Sequence, residues 1–273
     1  MNAPLFFILC LVTGVAAAAP PQRVMSLNLC TDQLLMALLP PQRIASITWL
    51  SRTEGDPAFL ALARRLPINH GSAEEVLVAR PDLVLAGRYT TATTRSQIRR
   101  AGIPVLEVDA ASDWEGIRRI TRQVADAIGA RPQAEQQLAA MDADLARLAS
   151  ARPGNPVRVI GWGGTGEDVP GRDTLFNTIL ESAGGVNLAA LENRPRSFDL
   201  EQVLLARPEV LMRGAAYSNK PALRNSVATH RALRRQGAIH MITYPEAVYG
   251  CGVPRASQLA LELAATLRQM DAR

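Results

Sequence analysis

The order of apolar and polar positions changes period repeatedly along the chain. "RVMSL" (residues 23–27), "RIASIT" (43–48), "LVLA" (83–86) and "PVLEV" (104–108) are short apolar or β-branched runs that predict buried strands. Between them, "TDQLLMALL" (31–39), "SAEEVLVA" (72–79), "TTRSQIRRAG" (93–102) and "DWEGIRRITRQVADAIG" (113–129) carry helical spacing. Thr31 or Asp32 and Ser72 offer N-caps, acids follow Ser72 where the helix dipole favours them, and Gly102 and Gly129 mark stops. The pattern resumes beyond residue 156. There "VRVIGW" (157–162), "EVLMRG" (209–214) and "AIHMIT" (238–243) predict strands, while 172–185, 199–206 and 253–270 predict helices, the last with Pro254 in its first turn. Strands alternating with helices predict an α/β fold with mostly parallel sheets covered on both faces.

Between the halves, "QAEQQLAAMDADLARLAS" (133–150) is the longest uninterrupted helical pattern. Leu138, Met141, Leu145 and Leu148 mark its apolar stripe, and Pro132 suits its first turn. At its rise per residue it spans roughly 27 Å, enough to cross between two lobes. The predicted organisation is two Rossmann-like α/β lobes, 20–131 and 153–273, joined by one long helix over 132–152.

One phrase occurs twice. "EEVLVARPDLVL" (74–85) returns 127 positions later as "EQVLLARPEVLM" (201–212), with Glu, Val, Leu, Ala, Arg and Pro identical. Each half thus carries the same unit of short helix, Arg-Pro and buried strand. Glu74 and Glu201 open the two helices at matching places, where an acid is favourable whatever its function.

The first 19 residues carry no charge. An apolar run over 5–15 is followed by Ala16 to Ala19, which offer an Ala-x-Ala cleavage site. This is the layout of a secretory signal peptide, too short to span a bilayer, and it predicts a periplasmic mature chain. Two cysteines then remain, Cys30 and Cys251, free to pair in an oxidising compartment.

The chain has 30 basic and 25 acidic residues for a net charge of +5. The bases are almost all arginines, scattered along helical faces rather than gathered into a patch, which argues against nucleic-acid binding. "GWGGTG" (161–166) fits G-x-G-x-x-G formally, but Pro170 and Gly171 delay the helix that would receive a pyrophosphate. G-x-S-x-G is absent, and His70, His230 and His240 have no ligand spacing, so no catalytic group and no bare-metal site is expected. Trp49, Tyr89, Trp162, Tyr217 and Tyr249 each fall at or just after the carboxyl end of a predicted strand or in the following loop. Those loops line the ligand crevice of an open α/β sheet. With Arg52, Arg88 and Arg213 nearby, they suit a large, partly flat and anionic ligand.

Several phrases resemble the periplasmic binding proteins that serve ABC importers of ferric siderophores, haem and cobalamin, which share the class III binding-protein fold. "RVMSLNLCTDQLLMAL" looks like their opening strand and helix, "SAEEVLVARPDLVLAG" like their helix–strand phrase, and "TLFNTILESAGGVNLA" and "FDLEQVLLARPEVLM" like the second-lobe counterparts. The resemblance covers about residues 22–270. It implies a non-catalytic, cofactor-free monomer that holds a metal chelate, cobalamin or ferric siderophore before haem, between its lobes. It also implies that a Glu on each lobe pairs with Arg residues of a homodimeric permease at the inner membrane, here Glu74 and Glu201. The cobalamin binder has Trp where this chain has Gly87, although an Arg follows there as Arg88 does here. Cys30 and Cys251 are compatible with an interlobe disulfide, with contact to a chelate, or with separate buried thiols. The competing readings are an exported enzyme that uses "GWGGTG" on a phosphorylated ligand, and a docking adaptor that binds no ligand.

Overall fold

The computed structural model describes residues 19–151, 155–162, 169–191, 198–214, 227, 230–235 and 239–271. The N-terminal sheet comprises β1 (Val24–Ser26), β2 (Ile44–Thr48), β3 (Ile68–Asn69), β4 (Leu83–Gly87) and β5 (Val105–Val108), in the order β3-β2-β1-β4-β5. The C-terminal sheet comprises β6 (Val157–Gly161), β7 (Gly185–Asn187), β8 (Val210–Gly214) and β9 (His240–Tyr244), in the order β7-β6-β8-β9. Every described pairing is parallel. The second order repeats β2-β1-β4-β5 of the first, so the lobes are two copies of one topology. Edge strands β3 and β7 have two and three residues, and neither sits in a longer apolar run.

The helix Arg131–Ser150 joins the lobes, with Pro132 in its first turn. It buries Leu138, Met141 and Leu148, with Leu145 partly covered. The final helix, Ala256–Asp271, packs against it. Pro254 lies just before that helix rather than inside it.

Pleat parity sorts the strand residues. Val24, Leu83 and Leu85 of one lobe and Val157, Val159, Val210 and Met212 of the other face a single continuous core shared by both lobes. Their neighbours turn the opposite way. Met25 and Val84 enter a small N-terminal cluster, while Ile160 and Leu211 enter a C-terminal one.

The duplicated phrase has a local cause. Arg80 and Arg207 end the helices Ala73–Ala79 and Leu200–Ala206 in the left-handed region, at φ 46° and 47°. The prolines that follow disfavour right-handed helix at these positions, and a side chain in the left-handed region costs about 1–2 kcal/mol. An arginine at the start of the adjacent central strand offsets this cost in each lobe. Arg23 donates to the carbonyls of Ala79 (2.7 Å) and Arg80 (3.5 Å), and Arg158 to those of Ala206 and Arg207 (3.3 Å). The acid after each proline completes the unit, Asp82 accepting from the Arg23 amide and Glu209 from the Arg158 amide.

Candidate ligand cleft

Among the described residues, two of the cavities between the lobes flank the short helix Glu246–Gly250 that follows β9. The first, about 530 Å³, is bounded by Ser51, Arg52 and Glu54 of the N-terminal lobe and by Pro245, Glu246 and Ala247 of the other. The second, about 670 Å³, is bounded by Arg88, Tyr89 and Ala110–Ser112 opposite Asp173, Phe176, Tyr244 and Tyr249. Glu246 borders both. Its carboxylate occupies the space above Gly214, where a Cβ would fall 1.6 Å from Oε1.

The wall of the first cavity rests on a buried carboxylate. Asp32 accepts hydrogen bonds from the Thr48 amide and hydroxyl and from the Ser51 hydroxyl (2.7 Å). It therefore fixes the turn from β2 into the helix Leu50–Thr53. Burial raises the Asp32 pKa to about 6, against the opposing pull of Ser26, Thr48 and Ser51.

The second cavity has an aromatic wall. Phe176 stands 5.4 Å from Tyr244 and 5.8 Å from Tyr249, and the two tyrosines meet edge-on at 4.8 Å. Burial lifts both phenols above the usual tyrosine range, so they stay protonated. Phe176 reaches the wall because Thr174 caps the helix Leu175–Ser182 beside the cleft. Opposite, the Arg88 guanidinium lies 5.5 Å from the Tyr89 ring centre, and Tyr89 is 79% exposed.

The expected site residues separate on this frame. Arg88, Tyr89 and Tyr249 line the second cavity. Arg52 lines the first, but its guanidinium is held by the carbonyls of Ala63 and Leu66. Trp49 is 40% exposed beside His70 and borders neither cavity. Trp162 is corrected from cleft wall to core: it is 1% exposed, it follows Ile160 by one pleat period into the C-terminal cluster, and its indole N–H donates to the Phe198 carbonyl. Arg213, next to last in β8, is half-buried and outside the linings of both cavities. Tyr217 and the glycines after Trp162 in "GWGGTG" lie outside the described residues. Glu74 and Glu201 are exposed on the first turns of the paired helices.

Phe176, Tyr244 and Glu246 were not anticipated. Tyr244 satisfied the same strand-end criterion as the other aromatics, while nothing local marked Phe176, inside a helix, or Glu246. Cys30 and Cys251 form a disulfide with Cα atoms 4.9 Å apart. It ties the helix Leu29–Leu38, whose N-cap Asn28 accepts from the Cys30 amide, to the end of the Glu246–Gly250 helix.

A family model described as periplasmic binding protein matches residues 24–240. The chain belongs to the periplasmic binding protein family. The members of this family are solute-binding proteins rather than enzymes. Among curated relatives, the cobalamin-binding protein of Halobacterium salinarum is 27% identical over 220 residues, 75% of this chain and 57% of that one. The match thus spans less than two thirds of that relative's length. Among solved structures, the periplasmic heme-binding protein RhuT from Roseiflexus sp. RS-1 superposes with a TM-score of 0.73 at 22% identity, covering 91% of this chain and 98% of that one. The periplasmic vitamin B12 binding protein BtuF of Vibrio cholerae gives 0.64 at 18%, covering 93% and 99%. At these identities the structures speak for the shared two-lobed fold. No helix among the described residues is long and apolar enough to cross a membrane.

Proposed function

We propose that this binding protein captures a corrinoid chelate of the cobalamin class in the periplasm and hands it to an ABC permease. The observation that carries the choice is the charge balance of the cleft. Among the described residues, the linings of the two cavities balance two arginines, Arg52 and Arg88, against the carboxylates of Glu54 and Asp173, with Glu246 a further acid that has interactions of its own. Haem with its propionates, or a ferric catecholate with its surplus negative charge, would find no excess of positive charge to receive it. A carboxamide-rich corrin carries little net charge and offers both donors and acceptors to such a wall. The aromatic trio gives its flat ring an apolar face, and the name of the curated cobalamin-binding relative points the same way.

Delivery is assigned to Glu74 and Glu201, exposed at matching positions of the two lobes and facing arginines of a two-fold permease. The metal belongs to the cargo, and the chain acts as a monomer without catalytic groups.

Calorimetric titration of the mature protein with cyanocobalamin, haemin and ferrichrome tests the ligand. Saturable submicromolar binding of cyanocobalamin alone is expected. Binding of haemin or ferrichrome with cyanocobalamin silent, or silence from all three, overturns the proposal.

A further inference from the structure

The two most exposed aliphatic side chains among the large hydrophobics of the described residues are Val78, at 85%, and Leu205, at 70%. They occupy the same position of the duplicated unit, 127 residues apart. A lone exposed aliphatic residue needs no explanation. Two at equivalent places on two lobes, each the extreme of its surroundings, form a pattern.

Among the described residues, nothing inside the fold accounts for them. The intramolecular duties of the unit fall to other positions. Val76 and Val203 are buried, Arg80 and Arg207 terminate the helices, and Asp82 and Glu209 hold the neighbouring strands. Val78 lies four residues after Glu74, and Leu205 four after Glu201, so on each helix the acid and the aliphatic residue share one outward face. Glu75, by contrast, turns back to accept from the His70 and Ser72 amides and complete a capping box.

We infer that Val78 and Leu205 are the apolar halves of two equivalent docking contacts. Each plugs a hydrophobic socket beside the basic group that receives Glu74 or Glu201. The inference rests on the permease-docking reading above and deepens it. The partner it fits is a protein with two-fold symmetry, because a face written once on each lobe matches a feature presented twice. The acid next to each aliphatic residue makes an anionic bilayer surface a poor alternative occupant. In such a contact the acids steer encounter and register, and the desolvated aliphatic groups slow dissociation.

The test uses the full mature chain and the permease–ATPase complex of the source cells in lipid nanodiscs, with binding followed by interferometry. Val78→Ser and Leu205→Ser should each weaken binding about fivefold or more, and the double variant by about the product. Cyanocobalamin affinity should stay at the wild-type value in all three, which also verifies folding. If Val78→Ser/Leu205→Ser binds like wild type while Glu74→Arg/Glu201→Arg does not, the apolar contacts are refuted and acid docking stands. If Glu74→Arg/Glu201→Arg binds like wild type, the docking reading itself falls. An effect from only one serine variant rules out the two-fold partner. Two further controls on wild type are sedimentation equilibrium and flotation with phosphatidylcholine vesicles. Self-association or vesicle binding that the double serine variant abolishes would assign the face to a second copy or to lipid, against the inference.

Discussion

Cys30, on the first helix of the N-terminal lobe, is bonded to Cys251, just after the cleft helix of the C-terminal lobe, across 221 residues of sequence. Both lobes are further joined at their edges. Arg255 pairs with buried Asp56 at 2.6 Å, the Trp114 indole donates to Ser182, and the Thr178 hydroxyl donates to the Ser112 carbonyl. With the stiff helix Arg131–Ser150 as the chain crossing among the described residues, these ties favour small adjustments of the cleft over a wide hinge.

Removing the disulfide should destabilise the protein by about 2–4 kcal/mol, because the crosslink closes a very long loop in the unfolded chain. Urea unfolding of Cys30→Ser/Cys251→Ser, and of wild type with reductant, should give the same lowered midpoint. A reduced wild type as stable as the oxidised one would show that the crosslink does not constrain the chain.

Asp32 sets a pH dependence. Its folded pKa, about 6, stands above the ordinary value of 3.8, so the folded state binds its proton more tightly than the unfolded chain does. Ionised Asp32 therefore burdens the fold fully above pH 6, and this part of stability is regained as pH falls from about 7 towards 4. The magnitude is on the order of 3 kcal/mol. Unfolding free energies measured across this range should carry the rise in wild type and lose it in Asp32→Asn. An identical slope in the variant would assign the titration to another group.

The arginine clamps should contribute separately. Arg23→Ala and Arg158→Ala each remove guanidinium bonds to the carbonyls at a left-handed helix end, at about 1 kcal/mol apiece. Lying in different lobes, they should add in the double variant. Denaturant melts of the three proteins check this, and a double variant no less stable than either single one would contradict independent clamps.

Gly214→Ala probes the cleft. The new Cβ would fall 1.6 Å from Oε1, 1.8 Å from Cδ and 2.4 Å from Cγ of Glu246, so the whole side chain must change rotamer and stability should fall by about 1–3 kcal/mol. Cyanocobalamin affinity should also fall on the order of tenfold as the carboxylate shared by both cavities moves. Unaltered affinity in calorimetry would remove Glu246 from the binding surface.

Much of the architecture was legible because it is written in local periods. The strands β1, β2, β4, β5, β6, β8 and β9, the linking helix and the duplicated unit all follow from spacing and punctuation within a few residues. Strands β3 and β7 escaped because neither sits in a longer apolar run, whereas β1, also three residues, lies inside the run "RVMSL". The cleft was legible only in part. Arg88, Tyr89 and Tyr249, chosen for following strands, border the second cavity, whereas Trp162, chosen by the same rule, is buried in the core. Trp162 lies one pleat period beyond Ile160 and shares its face, so its ring enters the cluster that includes Phe198 and Leu188 rather than the cleft.

The sequence by itself determined two α/β lobes, the rod between them and the repeated Glu-to-Arg-Pro unit, since each depends on neighbours close along the chain. Only the tertiary structure decided that Cys30 meets Cys251, that Phe176, Tyr244 and Tyr249 form one wall, and that Glu246 lies over Gly214 between two cavities. Those relationships join residues that are distant in sequence or set on different elements. They exist because two sheets and a shared core fix which strand ends and helix faces come together, and no local pattern encodes that.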